Sequence, residues 1–490
     1  MERGERGDRL KLNRYRTLAA NTIILGLGQF GSKILVIVMM KFYQSALGKN
    51  GYGEINNIID TATLLMALVT LSIGESIIRF GIDTAYDNKQ VFSIGMRVTL
   101  IGVVAGMLFV PLVGLLSNVF PDNNVLLLLR DYAWLTVLYV ATGSFKSSCA
   151  LFVRSIGHVK LYAIDGILTT VMNIIFNIFL LFTFNLGNLG YLLSVILADI
   201  CSIVFLTFTA HLRQYIVVFG HDRGMIRTML RFCIPMIPTS IMWWIINVSD
   251  SFMISGMIDF GASGVYKAAS RFPSMISIFS GIFSQAWNMS AITESNSRTI
   301  AKFYTNVFDI FQSTVYVIAG ALFVLIKPLI HIFSDPEFYE AYLVTPFIIM
   351  SVVYTCFSTF MGSVYVASQK TVRSLVTASI GAGLNIVMNI VMIHFWGIVG
   401  ATLASFLSFL IIFIIRAADT HKIVYMDLGL RKMIINVGML LTMGVTIFTV
   451  HDNDAVYYGV LGSVFVLILV LNFKAGLRAV KMVLKKEPVE

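Results

Sequence analysis

Charge is what this chain has least of. Only 13% of its 490 residues are Asp, Glu, Lys or Arg, against roughly a quarter in an ordinary soluble domain. With 57% hydrophobic residues and a mean hydropathy of +0.83, it has too little polar surface to wrap a core in water. That excludes a soluble globular protein and makes the bilayer its natural solvent. Cysteine is scarce too. Cys149, Cys201, Cys233 and Cys356 lie far apart in apolar stretches, with no C-x-x-C pair and no sign of a disulfide framework. They read as small buried hydrophobes. The seven histidines show no H-x-x-x-H spacing, so neither a metal site nor a cofactor is expected. No Ser/His/Asp set or catalytic carboxylate pair gathers in a loop, so no enzyme is expected either. The start, "MERGERGDRLKLNRYR", precedes an apolar stretch too long for a signal h-region and reads as a retained anchor.

Long apolar runs are what the sequence does have. Fourteen are long enough to span a bilayer: 17–40, 55–80, 91–116, 124–147, 161–184, 189–211, 228–254, 265–290, 303–332, 341–365, 374–395, 398–416, 433–450 and 456–473. The join between the eleventh and twelfth rests on Gly397 and Gly400 in "HFWGIVGA". Placing the N-terminus in the cytoplasm puts 29 of the 36 basic residues on the inner side. These include Arg3, Arg6 and Arg9 in the tail, Arg213, Arg223, Arg227 and Arg231 in the central loop, and Lys474, Arg478 and Lys481 at the end. Only Lys41, Lys49, Arg130, Lys267 and Lys327 fall outside, while Lys33 and Arg271 lie mid-span. The net charge of +10 is therefore a topology signal, with anionic lipid as a natural contact. It is no nucleic-acid footprint, because no basic domain stands clear of the spans. A multi-pass protein of the cytoplasmic (inner) membrane with both termini inside is expected.

The chain also repeats itself. "VMNIIFNIFL" (171–180) matches "GLNIVMNIVM" (383–392), and both Asn173/Asn385 and Asn177/Asn389 are 212 positions apart. "LGKNGYG" and "FGASGVY" match at nearly the same offset. Six spans separate equivalent points, so the halves are parallel repeats. The expected architecture is all-α: a basic tail (1–16), a six-helix lobe (17–212), a cytoplasmic linker (213–227), a second six-helix lobe (228–418), an added helix pair (419–473) and a basic tail (474–490).

"ILGLGQFGSKILVIV" (24–38) contains G-x-G-x-x-G at Gly26, Gly28 and Gly31. A dinucleotide site needs a strand and a soluble βαβ unit around such glycines. Here they sit inside an apolar span, and helical spacing explains them better. Asn21, Gly28, Gln29, Ser32 and Lys33 share one face, with small residues for close packing. A lysine as deep as Lys33 costs about 3 kcal/mol at mid-bilayer, so it should face water or a partner. The second span carries Asp60, Glu75 and Arg79, the last two at i,i+4. The seventh carries Asn247, Asp250 and Ser251. The eighth is polar at Lys267, Ser270, Arg271, Ser274, Gln285 and Asn288. The repeat relates these helices in pairs, as a wet cavity between the lobes requires. Asp165, Asn173 and Asn177, like Asn385 and Asn389, read as interhelical hydrogen bonds, and Asp199 and Asp309 as weaker ion-site candidates.

At this point the chain resembles a family. "YQSALGKNGYGEINNIIDTATLLMALVTLSIGESIIRF" and "GASGVYKAASRFPSM" look like the two lobe signatures of polysaccharide-biosynthesis exporters, O-antigen-type flippases of the multidrug/oligosaccharidyl-lipid/polysaccharide (MOP, MATE-like) superfamily. The resemblance implies alternating access and a sugar cargo on undecaprenyl pyrophosphate, exported for cell-surface polysaccharide such as lipopolysaccharide. It puts a cationic cavity at Lys33, Arg79, Lys267 and Arg271, with Gln29, Ser274, Gln285 and Asn288 as polar neighbours. Asp60, Glu75 and Asp250 are candidates for ion or proton coupling. Expected partners are the lipid-linked glycan, membrane lipids and other polysaccharide assembly proteins, with no nucleic acid and the chain acting as a monomer. A MATE-type multidrug/cation antiporter is an alternative, although four basic residues favour an anionic cargo. A lipid II flippase of peptidoglycan synthesis is another.

Overall fold

The computed structural model describes residues 2–83, 85–217, 222–293, 300–368, 370–450 and 453–485. Side chains within this range are described except those of 2–30, 32, 33, 239, 285, 286, 288–293, 300, 366, 367, 371 and 479–485. The described residues are all-helical, without a strand. In order the helices are α1 (Glu2–Val69), α2 (Ile73–Ile82), α3 (Asn88–Gly106), α4 (Phe109–Val119), α5 (Asn124–Asp131), α6 (Ala133–Ser155), α7 (Val159–Asn177), α8 (Gly187–Thr209) and α9 (Arg223–Cys233). There follow α10 (Ile237–Met257), α11 (Phe260–Arg271), α12 (Ser274–Thr293), α13 (Ile300–Phe333), α14 (Ala341–Ala367), α15 (Thr371–His421), α16 (Leu430–Thr449) and α17 (Asp454–Lys485).

Ten helices among the described residues are long and apolar enough to cross a membrane, or eleven if the bent pair Ile34–Val69 and Ile73–Ile82 is one span. The sequence count of fourteen differs in three places. The first run falls largely on residues whose side chains are not described. The eighth is divided between α11 and α12. The eleventh and twelfth are one 51-residue helix, α15, interrupted at Gly397 (φ 57°, ψ −135°). Apolar side chains face outward in rows, for example Leu100, Ile101, Val104, Leu108 and Leu112 on α3 and α4, and Val387, Ile390 and Val391 on α15. Contiguous apolar surface of that extent belongs in lipid, not water.

The chain divides into two compact units, Met1–Ile241 and Met242–Glu490. In the first, the segment 41–54, expected as a loop, is helical and broken only at Gly48 (φ 65°). The second span bends by 54° between α1 and α2. Leu71 and Ser72 take left-handed conformations there, which L-residues adopt at a cost. The lower piece, α2, buries Ile73, Ile77 and Phe80 against Val91 and Phe92 of α3, Phe152 and Val153 of α6, and Met225 and Met229 of α9. The Ser76 hydroxyl locks the contact by donating to the Met229 carbonyl at 2.8 Å.

In the second unit, α14 packs along both halves of α15. They are pinned together by Arg416, which is 2% exposed. Its Nε donates to Thr377 Oγ1 at 2.9 Å, Nη1 to the Ser358 carbonyl at 2.9 Å and Nη2 to the Ser374 carbonyl at 3.2 Å. Arg416 closes the twelfth apolar run, and it is a buried cation held by oxygens. Cys149, Cys233 and Cys356 are free and buried, as their apolar surroundings predict.

The repeat is visible inside each unit. In the first, α7 passes into a π-helical turn (Ile178–Thr183), Asn185 and Gly187 take positive φ, and α8 begins. In the second, the helix breaks at Gly397 and continues. Both breaks carry G-x-x-G, Gly187/Gly190 and Gly397/Gly400. The second glycine of each lies against a backbone carbonyl. A Cβ on Gly190 would stand 2.9 Å from Leu180 O, and one on Gly400 would stand 2.0 Å from Met392 O. Leu180 and Met392 are themselves 212 positions apart.

Candidate functional site

Of the expected cavity residues, Gln29, Lys33, Gln285 and Asn288 have side chains outside the described residues. Arg79 stands in the last turn of α2, and its side chain is 59% exposed. It lies 3.6 Å from Asp83 Oδ2, so its acidic neighbour is Asp83 rather than Glu75. Glu75 is exposed in the first turn of the same helix. Asp60 is half-buried on α1, and Lys267 and Arg271 are half-buried on α11. The polar stripe of the eighth span does not run through one helix. Pro273 cannot continue the backbone ladder of α11. Lys267, Ser270 and Arg271 therefore end α11, and Ser274 opens α12, exposed and donating its hydroxyl to the Arg271 carbonyl at 2.6 Å.

Asp250 is the most completely built polar site. It lies on α10 and is 3% exposed. Asn389 Nδ2 donates to its Oδ1 at 2.7 Å and Asn385 Nδ2 at 3.2 Å. Tyr266 OH donates to Oδ2 at 2.8 Å, and Ser405 Oγ also donates to Oδ2. A second layer orients these donors. Asn385 Nδ2 reaches Ser405 Oγ at 3.0 Å, Asn389 Nδ2 reaches Asn385 Oδ1 at 3.1 Å, and Ser249 Oγ donates to Asn385 Oδ1 at 2.6 Å. The break at Gly397 makes this possible, because it returns Ser405 beside the asparagines of the same helix. Among the described residues no cation pairs with Asp250. Asn389 Oδ1 is buried without a partner. A buried carboxylate of this kind carries its charge among neutral donors alone, which cover both of its oxygens. The N-x-x-x-N repeat marks the asparagines in the sequence. Nothing in the sequence marks Tyr266 or Ser405.

The first unit handles its carboxylates differently. Asn177 Nδ2 donates to Asn173 Oδ1 at 2.6 Å and to its carbonyl at 2.8 Å, so this asparagine pair serves itself. Asp165 accepts from Ser202 Oγ at 2.6 Å. Asp199 is paired with Lys146 at 3.3 Å, with both side chains mostly covered. Lys146, near the end of the fourth apolar run, lies inside α6. In the second unit Asp309 is ion-paired, with Lys432 Nζ on Oδ1 and Arg478 Nη2 on Oδ2, each at 2.8 Å.

Comparison with known proteins places this geometry. The model of a family described as "Polysaccharide biosynthesis protein" matches residues 18–288. No curated protein sequence matches the chain. Among solved structures, the lipid II flippase MurJ in an inward closed conformation is similar with a TM-score of 0.69 at 13% identity, covering 94% of this chain and 99% of that one. An inward-facing multidrug resistance MATE family transporter of the MOP superfamily is similar with a TM-score of 0.63 at 13% identity, covering 81% and 95%. The MATE multidrug transporter DinF-BH, solved with R6G, is similar with a TM-score of 0.61 at 16% identity, covering 83% and 95%. At such identities the likeness is one of fold. The fold is thus that of MOP transporters, and the chain, a multi-pass helical membrane protein, belongs to the polysaccharide biosynthesis protein family.

Proposed function

We propose that this protein is a flippase, not an enzyme, that moves a lipid-linked oligosaccharide across the cytoplasmic membrane by alternating access. The glycan is carried on undecaprenyl pyrophosphate and destined for the cell surface. The observation that carries this reading is the match to a polysaccharide biosynthesis family on a chain folded like a transporter along its length. The physics agrees. A pyrophosphate is at least dianionic, and unaided passage through hydrocarbon would strip its hydration at prohibitive cost. Basic side chains in a wet path replace that water, and arginine grips phosphate oxygens in pairs. We assign that role to Lys33, Arg79, Lys267 and Arg271, with Gln29, Ser274, Gln285 and Asn288 meeting sugar hydroxyls. The full arrangement in this reading is fourteen spans in two parallel six-helix lobes plus a C-terminal pair, both termini inside. It works as a monomer beside other assembly proteins.

Asp250 is the coupling carboxylate in this account, with Asp60 and Glu75 as lesser candidates. Its burial without an ion-pair partner among the described residues supports that role, with a proton or Na⁺ as the driving ion. The lipid II flippase reading is the alternative that one observation favours, because MurJ spans 94% of this chain where the two MATE proteins span 81% and 83%. Conditional depletion separates the two. Accumulation of an undecaprenyl-pyrophosphate oligosaccharide on the inner leaflet supports the first, accumulation of lipid II supports the second, and accumulation of neither sinks both. The double variant Lys33→Ala/Arg271→Ala is expected to lose surface glycan at unchanged protein level.

A further inference from the structure

The C-terminal helices carry a crevice that the cargo path just proposed does not use. It opens where the first turns of α16 meet α17, and its volume is about 610 Å³, within the usual range for small-ligand sites. One wall is apolar, formed by Leu430, Ile435 and Leu471. Next to these in sequence, Ile434 on α16 and Val470 and Phe473 on α17 are exposed apolar side chains. The other wall is polar, formed by Arg431, Lys432, Gly429 and Asp427.

Charge is unevenly spread here. Lys432 reaches Asp309 Oδ1 at 2.8 Å and Ser313 Oγ at 2.6 Å, while Arg478 reaches Asp309 Oδ2 at 2.8 Å. One carboxylate thus holds two cations. Lys474 lies one turn beyond Leu471 on α17, on the same side as Arg478. Arg431 and Lys474 are exposed, and neither has an ion-pair partner among the described residues. Asp427 is exposed at the crevice, its Oδ1 accepting the Gly429 N–H at 2.9 Å. Four cationic side chains, Arg431, Lys432, Lys474 and Arg478, therefore outnumber two carboxylates, Asp309 and Asp427. This end of the helices is the one the basic-residue count assigns to the cytoplasm, where headgroups of anionic lipids gather.

We propose that this crevice binds an anionic glycerophospholipid of the inner leaflet. Its phosphodiester lies against Arg431 and Lys474, and its acyl chains lie along Ile434, Ile435 and Val470. The recognised chemistry is a phosphate at the mouth of an apolar groove. That chemistry could also come from a polyprenyl phosphate or from free phosphate, and the test separates these sources. The full chain in detergent is equilibrated with phosphatidylglycerol, phosphatidylcholine or undecaprenyl phosphate, and bound lipid is counted by native mass spectrometry. Inorganic phosphate is tested in parallel by thermal unfolding.

Phosphatidylglycerol should be retained over phosphatidylcholine. In Arg431→Gln/Lys474→Gln that retention should fall about tenfold or more, as two lost contacts of about 1 kcal/mol each imply. Lys432 and Arg478 stay in place to hold Asp309, so the lipid-free variant should unfold at the wild-type temperature. If the double variant does not fold, Arg431→Gln alone should lose about fivefold. Equal retention of phosphatidylcholine would overturn the proposal, as would undiminished binding by the variant. So would a preference for undecaprenyl phosphate, or a stabilisation that inorganic phosphate alone reproduces.

Discussion

The two units share a helix break with the same residues and use it for different electrostatics. Each carries N-x-x-x-N before the break and G-x-x-G in it. In the second unit the asparagines turn toward Asp250, a buried carboxylate that pairs with no cation among the described residues. In the first the asparagines bond to one another, while Asp199 takes Lys146 and Asp165 takes a serine. Similar sequence motifs thus sit in different backbone breaks with different charge partners. One unit holds a buried acid among neutral donors. The other holds an acid balanced by a lysine of the same unit. The first arrangement suits a site that loads and unloads, and the second suits a fixed one.

That contrast can be broken experimentally, and the largest effect is expected at Asp250. Asp250→Asn keeps the size of the side chain and removes the charge. Export should fall at least tenfold while the unfolding temperature stays near wild type, and export at wild-type rate would remove Asp250 from coupling. Next is Gly400→Ala, whose methyl would enter the Met392 carbonyl at 2.0 Å. A loss of about 3 kcal/mol is expected by thermal unfolding, at the upper end for overpacking. Gly190→Ala, at 2.9 Å from Leu180 O, should lose nearer 1 kcal/mol. Equal losses would mean that the two breaks are equally tight.

Lys146→Met tests the fixed site. It leaves Asp199 buried without its cation, but the lysine is 28% exposed. Stability should drop by about 2 kcal/mol rather than the full cost of breaking a dry pair. Adding Asp199→Asn should restore most of it, and failure of that rescue would show that Lys146 supports the fold by packing alone. Gly397→Ala must place a side chain at φ 57°, ψ −135°, a region that essentially only glycine occupies. About 2 kcal/mol is expected, read from the shift in unfolding temperature.

Much of the fold is legible from apolar run length, because backbone in a bilayer must close its hydrogen bonds within each helix. The asparagine repeat and the break at Gly397 are legible for a related reason, since polar and helix-breaking residues in hydrocarbon stand out against their surroundings. The bend at Leu71 and Ser72 is not, because neither residue is a glycine or proline and the strain there is imposed by packing. Lys146 and Arg416 stand at the inner ends of their apolar runs and count only as topology charges there, since charge count along a chain does not reveal a partner across helices. Asp250 is legible as a polar residue near a span end. Its partners Tyr266 and Ser405 are not, because their approach depends on how helices distant in sequence pack, and on the turn at Gly397.

The most direct test of the account uses the full chain reconstituted in liposomes with an undecaprenyl-pyrophosphate oligosaccharide on one leaflet and an imposed Na⁺ or proton gradient. Accessibility of the glycan to a glycosidase on the far side is followed in time. Wild-type protein should expose the glycan within minutes under one of the two gradients, and Asp250→Asn should not. Transport of a cationic dye by the same vesicles while the glycan stays put would contradict the assignment.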